Sequence, residues 1–149
     1  MEKPPTMDRA LIEALVGVFS KARVAAAQSE AALTESLCWE AWALVPEPKF
    51  GWDSSYVVLG RMVSFLRAAK VYEKAISLVH GYLESGHHLD YEDGPYFWLG
   101  TLHYEKGNLG DAYTYLDRAN RMSGGRCFRE EEPKYKAFLK AAKAKNKLR

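Results

Sequence analysis

Three features of this chain predict an all-α fold, an α-solenoid of antiparallel helix hairpins. Apolar residues recur at intervals of three and four in seven segments, the period of a helix with one buried face. No run alternates β-branched and polar residues between turn signals, so no strand is expected. Between residues 96 and 119, Gly100 and Ala112 stand among large residues on either side of a Gly107-Asn108 break. A bulky side chain at either position would hold two short antiparallel helices apart. A hairpin of this kind cannot bury its own apolar face, so it implies stacked neighbours.

The elements follow in order. Thr6 is placed to cap a helix over about 7–27, where Leu11, Leu15, Val18/Phe19 and Ala22 share a face. Leu33, Leu37, Trp42 and Leu44/Val45 mark a second helix over about 30–45, stopped by Pro46 and Pro48. Residues 47–53 form a connector with two exposed aromatics, Phe50 and Trp52. Asp53 suits the cap of a third helix, about 54–69. Its Tyr56, Leu59 and Gly60 repeat the phase of Tyr96, Leu99 and Gly100, and a fourth helix over about 71–85 carries Tyr72, Ala75 and Ile76. Gly60 and Ala75 lie fifteen apart against twelve for Gly100 and Ala112, so the third helix should be nearly one turn longer than the fifth. No glycine stands at the turn between the third and fourth helices.

Residues 86–93 read as a polar linker. Asp93 offers a cap and Pro95 a first-turn proline for the fifth helix. Gly124-Gly125 ends the sixth helix. Glu130, Glu131 and Glu132 precede Pro133 and suit the positive end of a last helix over about 131–146. Tyr135, Phe138, Leu139 and Ala142 on that helix should cover the open end of the stack. Gly100→Leu or Ala112→Leu should then overpack the hairpin by about 1–3 kcal/mol. Glu105→Ala, read as a surface change, should cost no more than about 0.5 kcal/mol.

Tyr96, Leu99, Gly100, His103/Tyr104, Gly107, Leu109, Ala112, Leu116 and Ala119 resemble the tetratricopeptide repeat pattern. Tyr96 stands where that family has tryptophan, and Gly124-Gly125 replaces its closing proline. The resemblance implies three repeats, about 7–46, 54–86 and 95–122, with the last helix as a cap, all in one domain over 1–149. It also implies that the first helix of each repeat lines a concave groove. That places Val57, Arg61, Ser64 and Phe65 of the middle repeat there, with Phe97, Thr101, Tyr104 and Glu105 of the last.

The bulk properties narrow the function classes. With 48 % hydrophobic residues, 149 residues can bury a core without staples. Cys38 and Cys127 have no metal-ligand spacing and read as reduced core thiols. Apolar residues 10–19 imitate a signal core and Ala25-Ala26-Ala27 a cleavage site. Glu13 interrupts that core, and Lys21 and Arg23 follow it, so a cytoplasmic chain is expected. No apolar run reaches the length of a membrane span. Residues 133–149 hold seven of the 21 basic residues and no acid. That leaves 14 basic against 19 acidic residues elsewhere, a body at −5 beside a tail at +7. The tail lacks interleaved aromatics for base stacking, so nucleic-acid binding is not expected, although regulatory RNA binding through it is a third reading.

His87, His88, Asp90, Glu92 and Asp93 are the one dense set of metal-ligand types, but a set confined to one loop lacks groups to orient it. No metal, no cofactor, no catalytic residue and no enzymatic activity is expected. His103 reads as a residue packed between helices rather than a general base.

Partner binding is the function that remains. The segment Gly124-Gly125-Arg126, Phe128, Glu130, Pro133-Lys134-Tyr135, Phe138-Leu139 is similar to the end of small bacterial tetratricopeptide-type immunity proteins of contact-delivered toxins. That resemblance implies a protein that binds a cognate toxin and occludes its active site. The acidic body suits a basic toxin, with Glu84, Asp90, Glu92, Asp93 and Glu105 mimicking phosphate. The partner-binding residues expected are Trp52, Arg61, Phe65, Asp90, Tyr91, Glu92, Asp93, Phe97, Thr101, Tyr104 and Glu105. An adaptor for an extended peptide is the alternative. It would need basic residues clustered in the groove, where Arg61 and Arg67 are the candidates.

Overall fold

A computed structural model describes residues 3–147, without the Lys147 side chain. Arg149, counted above in the basic tail, lies outside them. Among the described residues the chain is all-α, with no strand: α1 (Arg9–Ala27), α2 (Ala31–Leu44), α3 (Ser55–Ala68), α4 (Tyr72–Glu84), α5 (Gly94–Lys106), α6 (Leu109–Ser123) and α7 (Pro133–Lys147). A short 3-10 turn, Arg126–Phe128, precedes α7. The seven expected helices are all present. The chain divides into two compact units, Met1–His87 and His88–Arg149.

Three consecutive helix pairs close by one device. At the ends of α1, α3 and α5 a single residue turns left-handed: Ser29 (φ 57°), Lys70 (φ 63°) and Gly107 (φ 93°). The next amide then reaches back five residues, Glu30 to Ala25, Val71 to Leu66 and Asn108 to His103, at 2.8–2.9 Å. This is the Schellman closure, which satisfies carbonyls that a helix end leaves open. The following helix starts two residues after the left-handed one each time. Only the third hairpin uses the residue best suited to that conformation. A serine and a lysine do the same work in the other two, which is why those turns carry no glycine signal.

The unit Met1–His87 buries Leu15, Phe19, Ala22 and Ala25 of α1 together with Leu37, Cys38 and Ala41 of α2. Leu59, Met62, Val63 and Leu66 of α3 and Ala75 and Val79 of α4 are likewise buried. Two caps differ from expectation. Asp8, not Thr6, caps α1 by accepting from the Leu11 amide at 2.8 Å, so the helix starts at Arg9. Thr6 instead donates to the Asp53 carboxylate at 2.6 Å. Asp53 is thereby removed from capping α3, whose N-cap is Ser54 without a side-chain bond. The third helix is not nearly a turn longer than the fifth: α3 has 14 residues and α5 13, and the extra spacing between Gly60 and Ala75 comes from α3 running eight residues past Gly60 against six past Gly100, and from one more turn residue.

In the unit His88–Arg149, Gly100 sits against Leu116. A β-carbon there would lie 2.5 Å from Leu116 Cγ and 3.0 Å from its backbone nitrogen. Ala112 is fully buried on the same helix. Asp93 stands at the N-cap position of α5 without a side-chain bond.

The helix α7 covers the exposed side of α5. The Phe97 ring meets Phe128 and Tyr135 edge-on, with centroids 5.8 and 6.1 Å away, and Tyr104 meets Tyr135 and Phe138 at 5.5 and 5.2 Å. Tyr135 is 2 % exposed, and its hydroxyl donates to Glu105 Oε1 at 2.9 Å. Lys134 also pairs with Glu105, which holds that ammonium well above the usual lysine range.

Two variants separate these contacts. Gly100→Ala forces its methyl into Leu116 and should destabilise by about 1–3 kcal/mol. Glu105→Ala removes both the acceptor of the Tyr135 hydroxyl and the carboxylate partner of Lys134 and should cost about 1–3 kcal/mol, not the surface value that the sequence suggests. Urea unfolding of both against the parent checks this; a Glu105→Ala midpoint equal to the parent's would refute the link between α5 and α7.

Candidate partner-binding surface

The direction of α1 and α3 is fixed by two contacts. Thr6 and Asp53 meet just before the two helices begin, and Phe19 stacks on Phe65 further along, with centroids 6.0 Å apart at 23°. The helices therefore run parallel. Between them lies a groove of about 290 Å³ lined by Ile12, Leu15, Val16, Phe19, Ser20, Arg23, Ser54, Val57, Val58 and Arg61. Its floor is core: Leu15, Phe19 and Val58 are buried. Its walls are not, since Val16 is 58 % exposed, Val57 57 % and Ile12 38 %.

These exposed apolar residues lie off the stripe that buries α1. Ile12 and Val16 are one turn apart, as are Val57 and Arg61 on α3, so each pair rises on one face. Arg61 stands at the middle of α3, one turn after Val57, and Arg23 in the last third of α1; both are exposed. Neither has an ion pair or hydrogen bond among the described residues. No carboxylate lines the groove.

A larger cleft of about 730 Å³ opens between α2, α4 and the 45–51 loop, walled by Trp39, Trp42, Pro48 and Phe50. Lys49 spends its ammonium on the end of α2, donating to Trp42 O at 2.7 Å and Val45 O at 2.8 Å. Lys74 pairs with Glu35 at 3.2 Å and lies over Trp39. Glu35 is held below the usual carboxylate range, first by the Trp39 indole N–H and then by Lys74. The cations of this cleft are thus matched internally, whereas those of the groove are not.

The eleven residues expected to bind a partner separate into distinct groups. Arg61 lines the groove. Phe65 is half-buried and committed to Phe19. Trp52 is half-buried, its indole donating to Pro46 O at 3.0 Å. Phe97 is 4 % exposed and Thr101 fully buried, its hydroxyl donating to Trp98 O. These two are corrected to core positions, because α7 and the 3-10 turn close over Phe97. Tyr104 and Glu105 are partly covered by the same helix. Glu92 turns inward, accepting from the Leu89 amide at 2.9 Å and lying 3.2 Å from His88 Nδ1. Asp93 is half-buried, while Asp90 is exposed and Tyr91 77 % exposed.

Sequence reasoning missed Ile12, Val16 and Arg23. The signal for them was present: α1 carries more apolar residues than one buried stripe needs. Among the described residues no group of three or more His, Cys, Asp or Glu is placed to hold a metal. No helix among them is long and apolar enough to cross a membrane. His103 is buried and stacks on Tyr115 at 5.6 Å.

Both cysteines are free. Burial pushes the Cys38 thiol up to about 12, with Glu35 adding to the shift, and burial also raises Cys127. No protein-family model, no curated protein and no solved structure matches this chain.

The thiol environment gives a direct check. In the folded chain at about pH 8, iodoacetamide should alkylate half-buried Cys127 at least about tenfold faster than Cys38, since only thiolate reacts. Mass spectrometry after unfolding should show both labelled; equal native rates would contradict the burial of Cys38.

Proposed function

We propose that this chain is a protein-binding module whose α1–α3 groove receives a partner protein. The observation that carries the reading is the exposure of Ile12, Val16 and Val57 around a floor of buried core residues. Apolar walls open to water lower free energy when covered, at about 25 cal/mol per Å² removed from solvent. A rim of polar groups around such a patch is the usual form of an interaction site.

The biological role proposed is that of an immunity protein acting in the cytoplasm. The chain binds one toxin domain and blocks its active site by covering it. Support for this finer reading is the similarity of residues 124–139 to the end of such proteins, together with a surface built for docking. The mechanism is steric. An interface on the order of 1,600 Å² is expected, in which a few anchors supply most of the energy.

A second reading, an adaptor that binds a peptide segment, gains from one observation. Arg23 joins Arg61 at the groove, supplying the basic pair that the sequence alone did not place together.

The test is rescue of cells expressing the protein encoded by the neighbouring reading frame. The parent chain should restore growth. The double variant Val16→Asp/Val57→Asp, altered only at exposed positions, should fold with an unchanged melting temperature and lose rescue by at least about tenfold in plating efficiency. No rescue by the parent would remove the immunity role, and full rescue by the double variant would remove the groove as its site.

A further inference from the structure

The α1–α3 groove is specific about the chemistry it can accept. We infer that its occupant is an acidic amphipathic helix of the partner, whose apolar side chains lie on Ile12, Val16 and Val57 and whose carboxylates meet Arg23 and Arg61. The inference rests on the groove being the binding site proposed above, and it adds the identity of the segment bound.

Charge complementarity decides between occupants. Some cations elsewhere have internal partners, as Arg9 with Glu13, Arg121 and Lys143 with Asp117, and Lys134 with Glu105. Others, such as Lys21 and Arg129, have none among the described residues; what sets the groove apart is that two arginines and no carboxylate share its lining. Arg23 and Arg61 have no internal partner among the described residues, and their neighbours in the groove are apolar or serine. A guanidinium beside apolar surface binds a carboxylate through two parallel hydrogen bonds, and that pair strengthens as water is excluded. A basic segment would meet two like charges there. For the same reason the lysine-rich α7 of a second copy is a poor occupant.

Geometry favours a helix. From Ile12 to Arg23 is eleven residues, or about 16 Å of α-helix, the length of three turns of a partner helix laid alongside. Such a helix presents residues at i, i+4 and i+7 to one line, so its apolar side chains can follow Ile12, Val16 and Val57 while flanking carboxylates reach Arg61, level with those walls, and Arg23, about two turns past Val16.

The test uses the full chain and a phage-displayed library of helix-forming peptides. Each peptide is apolar at i, i+4 and i+7, with the flanking positions varied among Asp, Glu, Lys, Arg and Ser. Selection should enrich Asp and Glu. The best peptide, synthesised with a fluorophore, should lose at least about tenfold in affinity by anisotropy against Arg23→Glu/Arg61→Glu, and about as much when its own acids become lysine. Combining the two reversals should recover binding, and raised salt should weaken the original pair. The milder Arg23→Gln/Arg61→Gln variant and circular dichroism guard against misfolding.

Enrichment of Lys or Arg, no enrichment, or affinity unchanged by charge reversal would overturn the inference. So would self-association of the parent that Arg23→Glu/Arg61→Glu abolishes in sedimentation, because the occupant would then be a second copy. The two proposals fail separately. Rescue lost with Val16→Asp/Val57→Asp but kept with Arg23→Glu/Arg61→Glu leaves the site and removes the acidic helix. Acidic peptides bound at the arginines, without cellular rescue, leave the helix and remove the immunity role.

Discussion

Leu116 fills the space where Gly100 has no side chain, and the α5–α6 pair depends on that approach. Two helix backbones come this near only when one offers no β-carbon and the other little more than a methyl, as at Ala112. With the backbones close, Leu99, Leu102 and Leu116 are removed fully from water. The approach also decides what remains uncovered. A pair of narrow helices leaves the outer face of each unprotected, so α5 needs α7 over Phe97. On α1 the same kind of outer face, carrying Ile12 and Val16, has no such cover among the described residues. One surplus apolar face is packed away and another is left open to solvent.

Much of this architecture was legible in the chain. Helix periodicity gave all seven elements to within a few residues, because 3.6-residue spacing is a local property. Gly107 and the Gly100–Ala112 pair marked the third hairpin for the same reason. The first two hairpins were harder to see. Ser29 and Lys70 adopt the left-handed closure without being glycine, so composition could not reveal that all three turns are alike. Thr6 and Asp53 both looked like caps; each satisfies the other instead, through a bond spanning 47 residues that no local rule anticipates.

The candidate surface was less legible than the fold. Arg61 could be placed by phase alone. Phe97 and Thr101 share its phase within their own helix, yet both are buried, Phe97 because α7 and the 3-10 turn close over it, a long-range matter. Glu105 looked like a surface acid for the same reason. Net charge and local charge also differ. The body is acidic in sum, but the groove between α1 and α3 carries two arginines and no acid. Local charge is set by which side chains share a wall, and a chain-wide sum does not report it.

The fastening of α7 has a consequence for the lifetime of the molecule. Its hold on α5 relies on the Tyr135 ring and on Glu105, which serves both the Tyr135 hydroxyl and Lys134. A protease cut in the exposed acidic stretch before Pro133 would release that helix as a piece. The Phe97, Tyr104 and Phe128 rings would then face water together, a sticky aromatic end of the sort that chaperones and degradation machinery seize.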